Sequence, residues 1–257
     1  MKMNQDWSDS NTEQGAREDL AAAYQLAALF GWDDSIYTHF SMRVPGTKDH
    51  FLINPFGLLF SEITASSLVK IDTEGNKVEA SDYDVNPAGF TIHSAIHMAR
   101  HDAACVIHTH TIGGVGVSSL EQGLQPTNQW AFQFYNRVAY HDFEGLALNL
   151  EERERIVQSL GPTSRSLILR NHGLLTVGRT VSEAFILMHN LERACRVQLA
   201  IEATGQQVRQ VSLETREHTA RQFERGGSNE GQADPLAREW YAFRRQLEMR
   251  FGTSYLS

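Results

Sequence analysis

Three histidines carry the most chemistry in this sequence. His108 and His110 close the apolar run CVIHTH, and His172 stands in LRNHGLL, a polar triplet between two apolar runs. On a strand, residues i and i+2 face the same side. His108 and His110 can therefore reach one metal ion through bonds of about 2.0–2.1 Å. A hydrogen-bonded pair of core histidines would leave the same H-x-H trace. His172 adds a third imidazole, with Gly173 beside it to permit a sharp turn. Three histidines and one open position is a pattern that catalytic zinc uses; non-haem iron can use open positions too.

The remaining histidines read differently. His93, His97 and His101 recur every four residues on one helical face. No glutamate adjoins His93 to complete the zinc-protease signature, so this helix is expected to pack near the site with His101 exposed at its end. His39 and His50 fall in or beside a hairpin and His189 on a long helix; nothing catalytic is read from His50 or His189.

Positioning elements follow from periodicity. REDLAAAYQLAALFGW is helical and stops at Gly31, after a flexible leader spanning residues 1–16. THFSMRV and HFLIN read as strands joined by a PGTKD turn, and LVKID as a further strand. FTIHSAIHMARH is a helix, ACVIHTH a buried strand, and the small-residue segment after it the start of a helix. EERERIVQSLG is an amphipathic helix; SLILRN and LLTVG are strands flanking His172. SEAFILMHNLERACRVQLAIEATG is a long helix with Ser182 as N-cap and Gly205 as stop. Residues 206–257 form a polar arm, with the linker RGGSNEGQADP, and a last helix, LAREWYAFRRQLEMR. Early hairpins among alternating helices and strands predict an α/β protein with a mixed, largely antiparallel sheet layered with helices.

Composition narrows the partners. The 257 residues carry a formal net charge of −8, which argues against nucleic acid and anionic membranes as nonspecific partners. Two cysteines, each inside an apolar segment, suit buried thiols in a reducing compartment rather than a disulfide framework. The polar N-terminus lacks an apolar signal core, and no run approaches the roughly 20 residues of a membrane span. The expected location is the cytoplasm.

At this point the chain resembles the class II aldolase/adducin family. VIHTHT resembles its metal-binding strand, and LRNHGLLTVGRTVSEAFILMHNLERACRVQ its second half-site and the helix that follows. FLINPFGLLFSEITASSLVKID, NPAGFTIHSAIH and VAYHDFEG also match, so the likeness covers roughly residues 17–205. The resemblance implies an α/β/α sandwich, assembled as a homotetramer with sites between subunits. It assigns His108, His110 and His172 to a divalent metal (Zn2+ first, Mn2+ or Fe2+ otherwise) acting as Lewis acid in carbon–carbon bond cleavage. It also implies a substrate pocket containing His39, Asn54, Gly57 and Asn171, the last orienting the His172 loop by a side-chain hydrogen bond.

Two departures bear on activity. The aldolases' acid/base glutamate falls at Gly89, which cannot move a proton. Their phosphate-binding asparagine and two serines fall at His39, Pro87 and Ala88, so a phosphate loses several donors. The implied activity is a metal-dependent lyase, by aldol cleavage or decarboxylation, acting on a small hydroxylated carbonyl compound without phosphate. His93 or Tyr255, the latter on a mobile C-terminal arm, is the candidate proton carrier. HFLINPFGLLFSEITASSLVK and ILRNHGL resemble the adducin head-domain branch most, which opens an alternative: a non-catalytic interaction module with a cytoskeletal partner. Glu62, Thr64, Ser66 and Ser67 are read as cap and turn residues, and Arg43 as half of an ion pair.

Overall fold

Apolar runs that are sealed on both faces assemble the centre of the protein. The computed structural model describes residues 8–146, 149–224 and 235–257. Its strands are β1 (His39–Arg43), β2 (His50–Ile53), β3 (Val69–Asp72), β4 (Cys105–Thr109), β5 (Val138–His141), β6 (Ser166–Leu169) and β7 (Gly173–Gly178). They form one seven-stranded sheet ordered β3-β2-β1-β4-β7-β6-β5. Only β5 and β6 run parallel; every other neighbouring pair is antiparallel. The helices are α1 (Glu13–Phe30), α2 (Pro87–Ala99), α3 (Ile112–Ser118), α4 (Gln129–Gln133), α5 (Glu152–Leu160), α6 (Val181–Glu202), α7 (Leu213–Glu224) and α8 (Pro235–Phe251).

α1, α3, α6 and α8 cover one face of the sheet, α2 and α5 the other, giving the expected α/β/α sandwich. The two-residue period of β1 divides its side chains between these layers. Phe40 and Met42 enter the α1 layer, where Phe40 stacks on Tyr24. His39 and Ser41 turn to α2 and meet His93 there. Burying a side chain such as Leu20, Leu26 or Phe40 stabilises the fold by about 1.5–3 kcal/mol each.

Several boundaries differ from those expected. Residues 8–16 are not a free leader: Thr12 caps α1, whose first residue is Glu13, and Ser8 and Ser10 hydrogen-bond Glu18 and Asp19. Thr180, not Ser182, caps α6, because its hydroxyl accepts from the Glu183 N–H. β5, α4 and α7 were not anticipated. β5 is an edge strand of half-buried residues, and α4 is a short turn of helix, so neither presents a clear period. Within the supposed polar arm, α7 packs on α4, with Arg137 bridging Glu217 and Glu224. Most of the linker lies outside the described residues. No described helix is long and apolar enough to cross a membrane.

The C-terminal segment is docked rather than mobile. Arg244 on α8 is buried against Asp19 of α1 at 2.9 Å, and Trp240 Nε1 donates to the same carboxylate. Tyr255 is sealed from solvent; its hydroxyl accepts from Arg244 and donates to Glu248. Its carbonyl accepts from the Ala65 N–H, pinning the chain end to α1's neighbouring loop. Truncating Arg244 to alanine leaves the Asp19 charge buried without its partner, so urea unfolding should report a loss of about 3–5 kcal/mol. A loss under ~1 kcal/mol would show that the pair does not dock α8.

Candidate metal centre

His108 is the next-to-last residue of β4, on the α2 face, and His110 follows just beyond the strand. β4 pairs with β7 so that Thr109 opposes Leu174 and His108 opposes Leu175. His172, one residue ahead of β7, is thereby carried to the same sheet end. Two residues share that turn. Asn171 takes the left-handed conformation at φ 55°, which asparagine tolerates better than most residues. Gly173 supplies close approach rather than the turn itself, since a Cβ there would lie 2.3 Å from the Thr109 carbonyl oxygen. The imidazole nitrogens of His108, His110 and His172 converge within 4.8 Å of one another.

Hydrogen bonds set the outward nitrogens. His108 Nδ1–H donates to the Leu174 carbonyl at 3.0 Å, leaving Nε2 as a lone pair. His110 Nδ1–H donates to Asp34 Oδ2 at 2.8 Å, leaving its Nε2 free as well. Those two Nε2 atoms stand 3.0 Å apart. Two lone pairs so placed repel unless a cation or proton lies between them; a tetrahedral ion with bonds of about 2.0–2.1 Å sets its ligands about 3.3–3.4 Å apart. Burial, reinforced by neighbouring imidazoles, holds His108 well below the usual histidine range and brings His172 down to about 4. Neutral imidazole is the form that binds a metal, and burial favours that form at His108 and His172.

Supporting groups come from distant segments. Asp34 belongs to the loop between α1 and β1, where Ser35 and Thr38 both hold positive φ. Glu192 of α6 accepts from Thr111 Oγ and from the Gly114 N–H, which anchors the segment after His110. Asp34 escaped the sequence reading; the acidic pair in GWDDS was its only trace. His141, within the noted VAYHDFEG motif, also escaped: it is buried between Ser159 and Glu152, beside a small cavity that reaches His172.

The other expected site residues divide. His39 lies beside the centre, its ring 5.1 Å from that of His108. Behind it His93 is fully buried and touches His39, so it meets the centre only through that ring. Asn54 is not a pocket residue: its amide oxygen accepts from Tyr24 in the α1 layer, across the sheet from the triad. Gly57 sits in an exposed loop after β2, next to Phe56, whose ring packs near Tyr37. Asn171 acts through its backbone; its exposed side chain makes no hydrogen bond with the described residues, against expectation. Tyr255 is no mobile proton carrier, because its hydroxyl is committed to α8. Arg43 caps the His97 and Lys48 carbonyls instead of forming an ion pair.

A mixed sheet in an α/β/α sandwich with three histidines at one sheet end defines a class II aldolase-like protein. The family described as Class II Aldolase and Adducin N-terminal domain matches residues 18–199, and this chain belongs to it. A solved aldolase II superfamily protein from Pseudomonas syringae is 49% identical, covers 96% of both chains and superposes with a TM-score of 0.88. An L-fuculose 1-phosphate aldolase from Glaciozyma antarctica PI12 is 31% identical over 95% of this chain and 92% of its own, with a TM-score of 0.81. Rattus norvegicus alpha-adducin is 51% identical over 182 residues, which are 70% of this chain but 25% of adducin.

Removing the Asp34 carboxylate (Asp34→Ala) frees the His110 ring, and metal affinity should fall about 10–100-fold by competition with a chromogenic chelator. A pH dependence follows from the buried imidazoles. Burial, with Arg43 nearby, lowers His97 to about 3, and burial also depresses His93. Unfolding lets both take up protons near pH 6.5, so the unfolded state binds more protons and stability falls as pH drops below that value. The loss continues toward pH 3 for His97, at up to ~1.4 kcal/mol per pH unit for each such histidine. Urea midpoints at pH 7, 6 and 5 should decline accordingly, and a flat series would place these rings in water.

Proposed function

We propose that this chain is a divalent-metal-dependent lyase, an aldolase or decarboxylase, acting on a small hydroxylated carbonyl compound that carries no phosphate. The observation behind this reading is the convergence of three imidazoles whose Nε2 lone pairs at His108 and His110 are set by backbone and carboxylate partners. The donor set fits Zn2+ and also accommodates Mn2+ or Fe2+. Such an ion, when bound, supplies Lewis-acid stabilisation of negative charge on a substrate oxygen. The chain's own residues orient and exclude. Asp34 and the Leu174 carbonyl hold two rings, and Glu192 holds the following turn.

Pro87 and Ala88 offer no side-chain donors at the start of α2, which supports a substrate without phosphate. The L-fuculose 1-phosphate aldolase likeness supports carbon–carbon lyase chemistry. Ile112, Phe143 and Leu146 are exposed at 87%, 53% and 75%, with Phe143 6.3 Å from the His172 ring. Such exposed apolar side chains fit a homotetramer whose sites lie between subunits. Two free, buried cysteines fit a cytoplasmic location.

The adducin likeness favours a second reading, a non-catalytic interaction module with a cytoskeletal partner, since fold does not fix function. Metal analysis by mass spectrometry separates the two. Untagged wild type should carry about one divalent ion per chain, lost in His108→Ala and in His172→Ala. Wild type that stays metal-free after dialysis against zinc would end the lyase reading and leave the interaction module.

A further inference from the structure

Two of the three imidazoles are braced from behind. His108 donates to the Leu174 carbonyl, and His110 donates to Asp34. A histidine that gives one nitrogen to a metal carries its proton on the other, and that N–H almost always has an acceptor. The His172 ring finds none among the described residues, although it converges on the same centre.

A buried carboxylate stands across a small cavity from it. His172 lines a space of about 10 Å3 together with His141, Asp142, Glu144 and Glu152. That volume suits one water molecule, which needs two or more polar partners to stay there. The three acids differ. The Asp142 side chain is exposed, and Glu144 is committed to Arg155 through contacts of 2.5–2.8 Å. Glu152 is buried, at 6% exposure, while Glu151 and Glu154 beside it at the start of α5 face solvent.

A carboxylate turned inward needs compensation for its lost hydration. His141 Nε2 meets Glu152 Oε1 at 3.4 Å, and Ser159 Oγ meets His141 Nδ1 at 2.9 Å. Glu152 Oε2 has no hydrogen-bond partner among the described residues, and it is not sealed from solvent. One oxygen of the carboxylate is thus fixed by His141, and the other is left to accept.

We propose that Glu152 is a positioning residue for His172: a water in this cavity accepts the His172 ring N–H and donates to the Glu152 carboxylate, which His141 and Ser159 hold in place. This rests on the metal-centre reading above and supplies the support that the third ring lacks. A bridging water is nearly as favourable as a direct hydrogen bond. A carboxylate behind a ligating ring also raises its basicity and fixes its orientation, so His172 becomes the stronger ligand. α5 thereby serves the centre, although the converging triad contains none of its side chains.

Cobalt(II) titrated into the full chain gives a visible-spectrum affinity independent of turnover. Glu152→Leu should weaken cobalt about 10–100-fold. Glu152→Gln keeps the side-chain volume and one acceptor oxygen, so it should recover part of that loss and fold where Glu152→Leu does not. A role in folding alone is separated by repeating both substitutions in His172→Ala, at cobalt concentrations high enough to load the remaining pair. There the ring that Glu152 supports is gone, and neither substitution should weaken cobalt further. In zinc-loaded wild type, the histidine nitrogen spectrum should show a hydrogen-bonded His172 ring N–H that shifts in Glu152→Gln. Wild type that binds no cobalt overturns the metal-centre reading and this proposal together. Cobalt affinity within about twofold of wild type in both Glu152 variants, or a loss of equal size with and without His172, overturns the role of Glu152 and leaves the metal centre standing.

Discussion

Antiparallel pairing of β4 with β7 sets Thr109 opposite Leu174, which leaves His172 only two residues beyond the ladder and beside His110. Everything at the candidate centre depends on that register. A slip of one residue would send His108 to the opposite face of the sheet, where Ile107 now packs in the apolar α1 and α6 layer. Gly173 permits the approach by omitting a Cβ that the Thr109 carbonyl would meet. The Leu174 carbonyl serves the ladder's end and also fixes the His108 tautomer. One pairing therefore sets both the position and the protonation pattern of the histidines.

The two faces of the sheet divide the work. The α1, α6 and α8 side is dry and aromatic, with Tyr24, Phe40 and Phe60 in mutual ring contact and the Arg244–Asp19 pair closing it. That face supplies most of the apolar burial. The α2 side accepts polar groups under the centre, where His39, His93, His97 and Ser41 satisfy one another. Burying four polar side chains is tolerable because each finds a partner and the imidazoles stay neutral. A charged imidazole at His97 would carry a desolvation cost, and the nearby Arg43 would raise it further.

Membership of the family fixes the sandwich, but relatives of this chain are as different as alpha-adducin and an L-fuculose 1-phosphate aldolase. What distinguishes this chain is local. Gly89 and His39 form a steric pair, so neither is a free substitution on a common background. Asp34 reaches His110 from a loop whose positive φ values at Ser35 and Thr38 hold it in an uncommon course. Such details decide the charge and shape presented to a ligand, and fold similarity does not extend to them.

Most elements were legible because burial imposes a period: six strands, α1, α2, α5, α6 and α8 follow from runs that only one face or a double-sided core can hide. The three histidines were legible from H-x-H spacing and a polar break between apolar strands, with the family likeness ordering them. The missed pieces lacked such a signature. β5 is half-buried at an edge, and α7 is polar because it packs mainly on α4. Asn54 and Tyr255 looked available because a sequence does not say which layer a polar group enters; tertiary packing gave each a buried partner. Asp34 lies 76 positions from His110 in sequence, so only chain folding could join them. By itself the sequence determined which residue types and periods were present. The tertiary structure decided which imidazoles share a centre, which tautomer each adopts and what stands over Gly89, because these depend on contacts between segments far apart along the chain.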